Sequence, residues 1–273
     1  MNSASEPAAP DPLQVWCARV PTPFDVALQR DYLALLSPTE HEQLARLRFD
    51  ALKRRYLLTR VLVRTVLSRC VPVDPADWIF AHNAYGRPFI ADPPPEALQL
   101  RFNVSHTEAL VVLVVATGRE VGIDVECTQR HAPLDVAQRF FSRPEAAELA
   151  SLPPEQQVAR FWDLWTLKES YIKARGMGLS LPLDAFTFRF DGEQLALEVE
   201  PRIEDPGSGW HFWQFALPGD HLLALCAQRL GRHAPDCDFR SVLPLREERP
   251  LLLKPHRVSS LQLSMALRAN RDA

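Results

Sequence analysis

The stretch WTLKESYIKA, residues 165–174, reads as a helix that sets Lys168, Glu169 and Lys173 among residues suited to a core. Over residues 158–175, Val158, Phe161, Trp162, Trp165 and Ile172 fall on one stripe at helical spacing, and Gly176 supplies a C-terminal stop. Glu169 lies on that stripe, four residues after Trp165 and three before Ile172. A carboxylate taken out of water costs several kcal/mol unless a cation or hydrogen bonds offset it. The simplest partner, Lys173 at i+4, contributes only about 0.2–0.5 kcal/mol on an exposed helix, too little to justify burying the acid.

A second acidic feature precedes the helix, in VGIDVE at residues 121–126. Side chains two apart on a strand share a face, so Asp124 and Glu126 point together while Ile123 and Val125 point the other way. Like charges on one face call for water, a proton or a cation, and a hard divalent ion such as Mg²⁺ is the usual resolution. An ordinary polar strand face is the competing reading for the pair alone. With Glu169 as a third ligand the set becomes more specific, and Lys168 and Lys173 would reach phosphates held on the same ion. In FNVSHTE (102–108), Ser105 and His106 end a strand where they could hydrogen-bond a phosphate, although a Ser-His pair is also ordinary turn chemistry.

The rest of the chain supports a globular α+β protein. Its 273 residues are 47% hydrophobic, enough for one large domain or two small ones. Lys and Arg total 31 against 34 Asp and Glu, a net charge of -3, so no overall field attracts nucleic acid or an anionic membrane and any anion site must be local. Five scattered cysteines without a CxxC pair read as reduced cytosolic thiols. The N-terminal residues lack a basic and apolar leader pattern, and the longest apolar run, ALVVLVVA (109–116), is too short for a bilayer; a soluble, untargeted, cytoplasmic protein is expected.

LQVWCARV (13–20) predicts a first strand, and SPTE (37–40) a capping box with Ser37 as N-cap, opening one long helix. The run of Lys53, Arg54, Arg55, Arg60, Arg64 and Arg69 reads first as a solvated cationic face. AYGRPF is a turn; LRFNVSH and ALVVLVVA form a hairpin. Helices are expected around 135–151 and 155–175, followed by strands at 186–190, LALEVE, WHFWQFAL and HLLALCAQRL. The order predicts two similar α+β halves joined near residues 117–121: an N-terminal half over 1–118, a C-terminal half over 119–230 and an appendage over 231–273, partly ordered at best.

GRPFI, FNVSHTEALVVL, VGIDVE and FWDLWTLKESYIKARGMGLSLPLDAF, in this order and spacing, closely resemble the Sfp-type 4'-phosphopantetheinyl transferases over about residues 37–190. The resemblance implies a pseudo-twofold α+β fold with coenzyme A and Mg²⁺ in the cleft between the halves. It also implies Mg²⁺-dependent transfer of the 4'-phosphopantetheine arm of coenzyme A to a serine of an apo acyl or peptidyl carrier protein, releasing adenosine 3',5'-bisphosphate.

Position by position it implies Asp124, Glu126 and Glu169 as the metal site, Ser105 and His106 as nucleotide-phosphate contacts, Lys173 as the pyrophosphate contact, and Arg55 and Arg87 as further coenzyme-binding positions. Lys168 falls in the motif with a less defined place at the coenzyme. Glu169 is the favoured base for the serine proton and Lys173 the group that neutralises developing charge. The chain departs from some relatives in placing Glu40 and Gln43 where lysines meet the 3'-phosphate, leaving Arg46 or Arg48 as substitutes.

A metal-dependent nucleotide phosphohydrolase using the same carboxylates, and a coenzyme A binding module that has lost transfer, are the alternatives. Phe140, Phe141, Leu179 and Leu181, near Arg130, Arg139 and Arg143, are expected either to form a docking surface for a small acidic helical partner or to be core. A monomer suffices, since one chain holds both halves of the cleft.

Overall fold

Strands with apolar residues on both faces must be covered on both sides, and ALVVLVVA is such a strand. In the computed structural model, which describes residues 11–205, 207–231 and 233–269, Val112 and Val114 enter one core while Val111, Leu113 and Val115 enter another. The result is four layers: helix, sheet, sheet, helix.

The first half runs β1 (Leu13–Arg19), α1 (Val26–Leu33), α2 (Pro38–Arg46), α3 (Asp50–Cys70), β2 (Phe80–His82), β3 (Pro88–Ile90), β4 (Leu100–His106) and β5 (Leu110–Thr117). The second runs β6 (Val121–Cys127), α4 (Leu134–Phe140), α5 (Arg143–Ser151), α6 (Pro154–Arg175), β7 (Phe186–Asp191), β8 (Gln194–Val199), β9 (Trp210–Leu217) and β10 (His221–Gln228). The chain then adds β11 (Cys237–Leu243), β12 (Glu247–Pro250), β13 (Arg257–Ser259) and α7 (Leu261–Ala269). One sheet has the order β12-β11-β1-β5-β4 and the other β6-β10-β9-β13-β8-β7, with β2 and β3 as a separate hairpin. The α+β architecture of two halves is as expected.

Residues 237–269 are not an appendage. β11 pairs in parallel with β1 from Leu13↔Cys237 to Cys17↔Ser241, and β13 lies between β8 and β9. Phe239 is buried, its ring edge-on to Phe215 at 4.6 Å. The tail thus belongs to both sheets, and a boundary at 230 does not separate it from either half. A parallel partner at the far end of the chain leaves no hairpin signature for a sequence pattern to show.

The single helix expected after Ser37 is two. The capping box forms as expected, but Leu47 turns extended and α3 starts afresh at Asp50. Buried Glu40 accepts from Arg64 Nε at 3.1 Å and Nη2 at 2.7 Å. In one unbroken helix residues 40 and 64 would stand about 36 Å apart, so this pair exists only because α2 folds back on α3. Arg64, expected on a solvated face, is therefore a core cation; its guanidinium also donates to the Pro75 and Trp78 carbonyls.

The helix α6 lies directly on β6. A Cβ on Gly122 would fall 2.0 Å from the Ser170 carbonyl oxygen and 2.4 Å from the Ala174 nitrogen, so only glycine permits this approach. Phe161, Trp162 and Ile172 bury toward the second sheet as their spacing predicts, while Val158 reaches solvent. The sheets meet edge to edge as well as face to face: Asn103 Oδ1 and Ser105 Oγ on β4 accept the Ile123 and Val125 amides of β6, at 2.9 and 3.4 Å. Side chains replace the backbone ladder there, and the cleft opens at that seam. Among the described residues no helix is long and apolar enough to cross a membrane.

Candidate active site

A cleft of about 680 Å³ opens between the halves, lined from β4, β6, α3 and α6 and within the usual size of small-molecule sites. Ile123 and Val125 enter the core between the sheets. The alternate residues Asp124 and Glu126 face the cleft, as strand geometry dictates. One turn of α6 apart, Trp165, Glu169 and Lys173 look onto them.

The centre is a compact polar knot. Lys173 Nζ donates to Asp124 Oδ1 at 2.6 Å and to Ser105 Oγ at 2.9 Å, and Ser105 Oγ lies 3.0 Å from the same carboxylate oxygen. The other Asp124 oxygen, Oδ2, is buried without a hydrogen-bond partner among the described residues. Glu126 takes the Trp165 indole N–H at 3.2 Å and Arg130 at 3.4 Å. Glu169 makes no hydrogen bond or ion pair among the described residues; burial, then the charge of Asp124, pushes its carboxyl up to about 7, while Lys173 pulls it down. The Glu126 carboxyl is also raised, by burial and then by Asp124. Both shifts record burial first and the neighbouring Asp124 charge second.

The donor set fits a hard cation: three carboxylates on one cleft, two with raised proton affinity and a third with a buried bare oxygen. Among the described residues they do not close into a ready-made cage of three or more metal-binding side chains. Lys173 instead covers part of the negative charge.

At the mouth His106 reaches solvent; partial burial and then the Arg55 charge push its imidazole down, toward the neutral form. Arg55 lines the same wall and pairs with no carboxylate among the described residues.

Two expected coenzyme contacts, Lys168 and Arg87, lie outside the main cleft. Lys168 is fully buried on the far side of α6, where its Nζ meets Glu145 at 2.7 Å and the carbonyls of Leu183 and Phe186 at 2.8 and 2.7 Å. All three of its N–H groups are used, so it cannot reach a phosphate in the cleft. In an α-helix, residues 168 and 173 point about 140° apart, which is why one faces the core and the other the cleft. Arg87 is bound to the C-terminal end of α6 and lines, with Glu169 and Lys173, a smaller pocket beside this cleft rather than the cleft itself.

The lysine-for-acid departure also resolves. Glu40 is neutralised by Arg64, and Gln43 accepts from the Tyr56 hydroxyl at 2.7 Å. Arg46 and Arg48 are exposed and neither lines the cleft; Arg46 pairs with Glu42. Arg60 does line it, its guanidinium over the Tyr56 ring at 5.1 Å and 3.8 Å from Glu40. Leu52, Arg55, Tyr56, Thr59, Arg60 and Val63 line one wall of the cleft from α3. The sequence singles out Arg55 alone among them, although their 3, 1, 3, 1, 3 spacing would have revealed the whole stripe.

Of the apolar residues expected to dock a partner or to fill the core, Phe141 and Leu181 are core. Phe140 and Leu179 are 55% and 74% exposed, and Leu179 borders the cleft.

Comparison with known proteins accounts for both halves. A family model described as the 4'-phosphopantetheinyl transferase superfamily matches residues 120–226, and one described as 4'-phosphopantetheinyl transferase, N-terminal, matches residues 23–118. The chain is 35% identical over 198 residues to the 4'-phosphopantetheinyl transferase Sfp of Bacillus subtilis (strain 168), covering 72% of this chain and 84% of that protein. It is 33% identical over 219 residues to the 4'-phosphopantetheinyl transferase HetI of Nostoc sp., covering 80% and 87%. Another 4'-phosphopantetheinyl transferase of Bacillus subtilis is 30% identical over 226 residues, covering 83% and 95%. The chain belongs to the 4'-phosphopantetheinyl transferase superfamily.

Proposed function

We propose that this enzyme transfers the 4'-phosphopantetheine arm of coenzyme A to a serine of an apo acyl or peptidyl carrier protein, with Mg²⁺ held by Asp124, Glu126 and Glu169. The observation that carries the reading is the knot of Lys173, Asp124 and Ser105, with a bare buried oxygen and an unpaired Glu169 beside it, in a cleft between the two halves.

The bound ion supplies charge neutralisation for the pyrophosphate. The remaining chemistry belongs to the chain's own groups. Arg55, Arg60, His106 and Ser105 line the wall where the nucleotide phosphates bind, and Lys173 reaches the pyrophosphate from Asp124. The carrier serine Oγ attacks the phosphorus that bears the pantetheine; that phosphorus–oxygen bond forms as the bond to the bridging oxygen breaks. The bridging oxygen leaves on adenosine 3',5'-bisphosphate. Glu169, which faces the cleft and makes no hydrogen bond or ion pair among the described residues, takes the serine proton.

Exposed Leu179 at the edge of the cleft, with exposed Phe140, receives the carrier. One chain suffices as a monomer, and its unpaired cysteines suit the cytoplasm.

The test is intact-mass spectrometry of an apo carrier incubated with the protein, coenzyme A and Mg²⁺. A gain of one phosphopantetheine per carrier, abolished by chelation, supports the reading. No gain with either fatty-acid or peptide carriers, while coenzyme A still binds, refutes it.

A further inference from the structure

The turn between β2 and β3 grips the end of α6 across the seam between the halves. Asn83 Nδ2 donates to the Gly176 carbonyl at 2.7 Å. Arg87 Nη1 donates to the Ala174 carbonyl at 2.9 Å, and Nη2 to the Val121 carbonyl on β6 at 3.2 Å. Arg87 Nη1 also stands 2.9 Å from Glu120 Oε2.

The last carbonyls of a helix have no partner within it. Here the Gly176 amide takes those of Ile172 and Lys173, and side chains from the other half of the molecule take those of Ala174 and Gly176. The turn is shaped for this contact by its own hydrogen bonds. Asn83 Oδ1 accepts the amides of Tyr85 and Arg87, both at 2.9 Å, which fixes the loop before its amide nitrogen reaches outward. Gly176 is left-handed at φ 65°, and a Cβ there would meet Arg87 Nη1 at 3.1 Å, so the grip also needs a glycine.

We propose that Asn83 and Arg87 are positioning residues, a clasp that holds the C-terminal turn of α6 and so aims Lys173 at Asp124. The proposal rests on the transferase reading for its kinetic consequence. Lys173 lies one residue from Ala174, whose carbonyl the clasp holds, and Val121 lies three residues from Asp124 on β6. A single guanidinium thus ties together the helix that carries the cation and the strand that carries its carboxylate. Two of its N–H groups make this tie and a third meets Glu120, and it stands outside the main cleft, at the smaller pocket it shares with Glu169 and Lys173. Arg87 acts through geometry rather than through charge at a phosphate.

The two possibilities for Arg87 separate on substitution by lysine. Arg87→Lys keeps the charge a phosphate contact would need, but a single ammonium cannot bridge Ala174 and Val121 as a planar fork does. Asn83→Asp keeps the oxygen that shapes the turn and removes the donor to Gly176. Hydrogen exchange over residues 172–178, coenzyme A affinity by calorimetry with Mg²⁺, and carrier modification rates would be measured for both variants and for Arg87→Met.

The clasp expects exchange in the last turn of α6 to accelerate about tenfold, with the earlier turns unchanged. It also expects coenzyme A Kd within about threefold of the parent and kcat reduced about tenfold or more, a misplacement effect. Arg87→Lys matching the parent in exchange and rate overturns it. So does Arg87→Met weakening coenzyme A more than about tenfold with exchange unmoved, since removing a phosphate contact costs a charged hydrogen bond. If the parent modifies no carrier, the transferase reading fails on its own, while exchange and Kd still decide the clasp.

Discussion

Replacing Lys168 by Met separates the cleft from the core within the motif that marks the family. Lys168 and Glu145 are both fully buried, 2.7 Å apart, with the ammonium also bound to two carbonyls and set 4.2 Å from the centre of the Phe186 ring. Glu145 is equally committed: Oε2 accepts from the Ser142 amide and hydroxyl, and Oε1 from the Phe188 amide. Burial pushes the Lys168 ammonium down and the Glu145 charge holds it up, so the pair depends on both members. Removing one partner of such a pair leaves a buried charge and costs about 3–5 kcal/mol. For a chain of this size that is a fall of about 6–20 °C in Tm. Thermal unfolding and coenzyme A calorimetry on Lys168→Met, Glu145→Gln and the double variant are the assays. Lys168→Met is expected to lose stability and keep its coenzyme A Kd within about threefold, and the double variant to recover about half of the loss. A stable Lys168→Met protein with Kd weakened about tenfold would refute the assignment, because one lost phosphate contact has that size.

Lys173→Met should bind coenzyme A about tenfold or more weakly and, because Lys173 is partly exposed where Lys168 is not, lose less Tm than Lys168→Met, read by the same two measurements. Gly122→Ala drives a methyl into the Ser170 carbonyl; urea unfolding should show a loss of about 1–3 kcal/mol and carrier modification should slow, as α6 is pushed off β6. His211 is buried beside Arg119 and Arg229, and burial followed by those charges pushes its imidazole down to about 4. The folded protein holds His211 neutral while the unfolded chain protonates it near 6.5, so its contribution is complete above that pH and lost as pH falls toward 4. The full span is roughly 3 kcal/mol. His211→Phe should flatten stability between about pH 7 and 4.5, and an unchanged slope would contradict the assignment.

What the sequence shows and hides follows from the range of the interactions. Asp124, Glu126 and the strand that bears them are legible because period two puts them on one face. Glu169 is legible because a carboxylate on an apolar stripe needs a reason. Lys168 is misread because a lysine beside a functional acid looks functional, while its partner Glu145 lies on another helix that sequence spacing cannot place against it. Arg64 and Glu40 share that difficulty: each looks like surface until the break at Leu47–Phe49 brings α2 back onto α3. The tail is hidden more deeply, since β11 finds β1 in parallel from the opposite end of the chain. Arg87 stands in a motif that implies the coenzyme, and only its contacts at Ala174 and Val121 show that it is occupied with the helix.

The central claim is that the pantetheine phosphate passes to a carrier serine rather than to water. The most direct measurement follows adenosine 3',5'-bisphosphate release and carrier mass in the same reaction, with Mg²⁺ and coenzyme A, beside Glu169→Gln. The transferase expects one bisphosphate released for each carrier modified, no release without carrier, and loss of both signals in the variant. Release that continues without a carrier would contradict it and make the protein a phosphohydrolase.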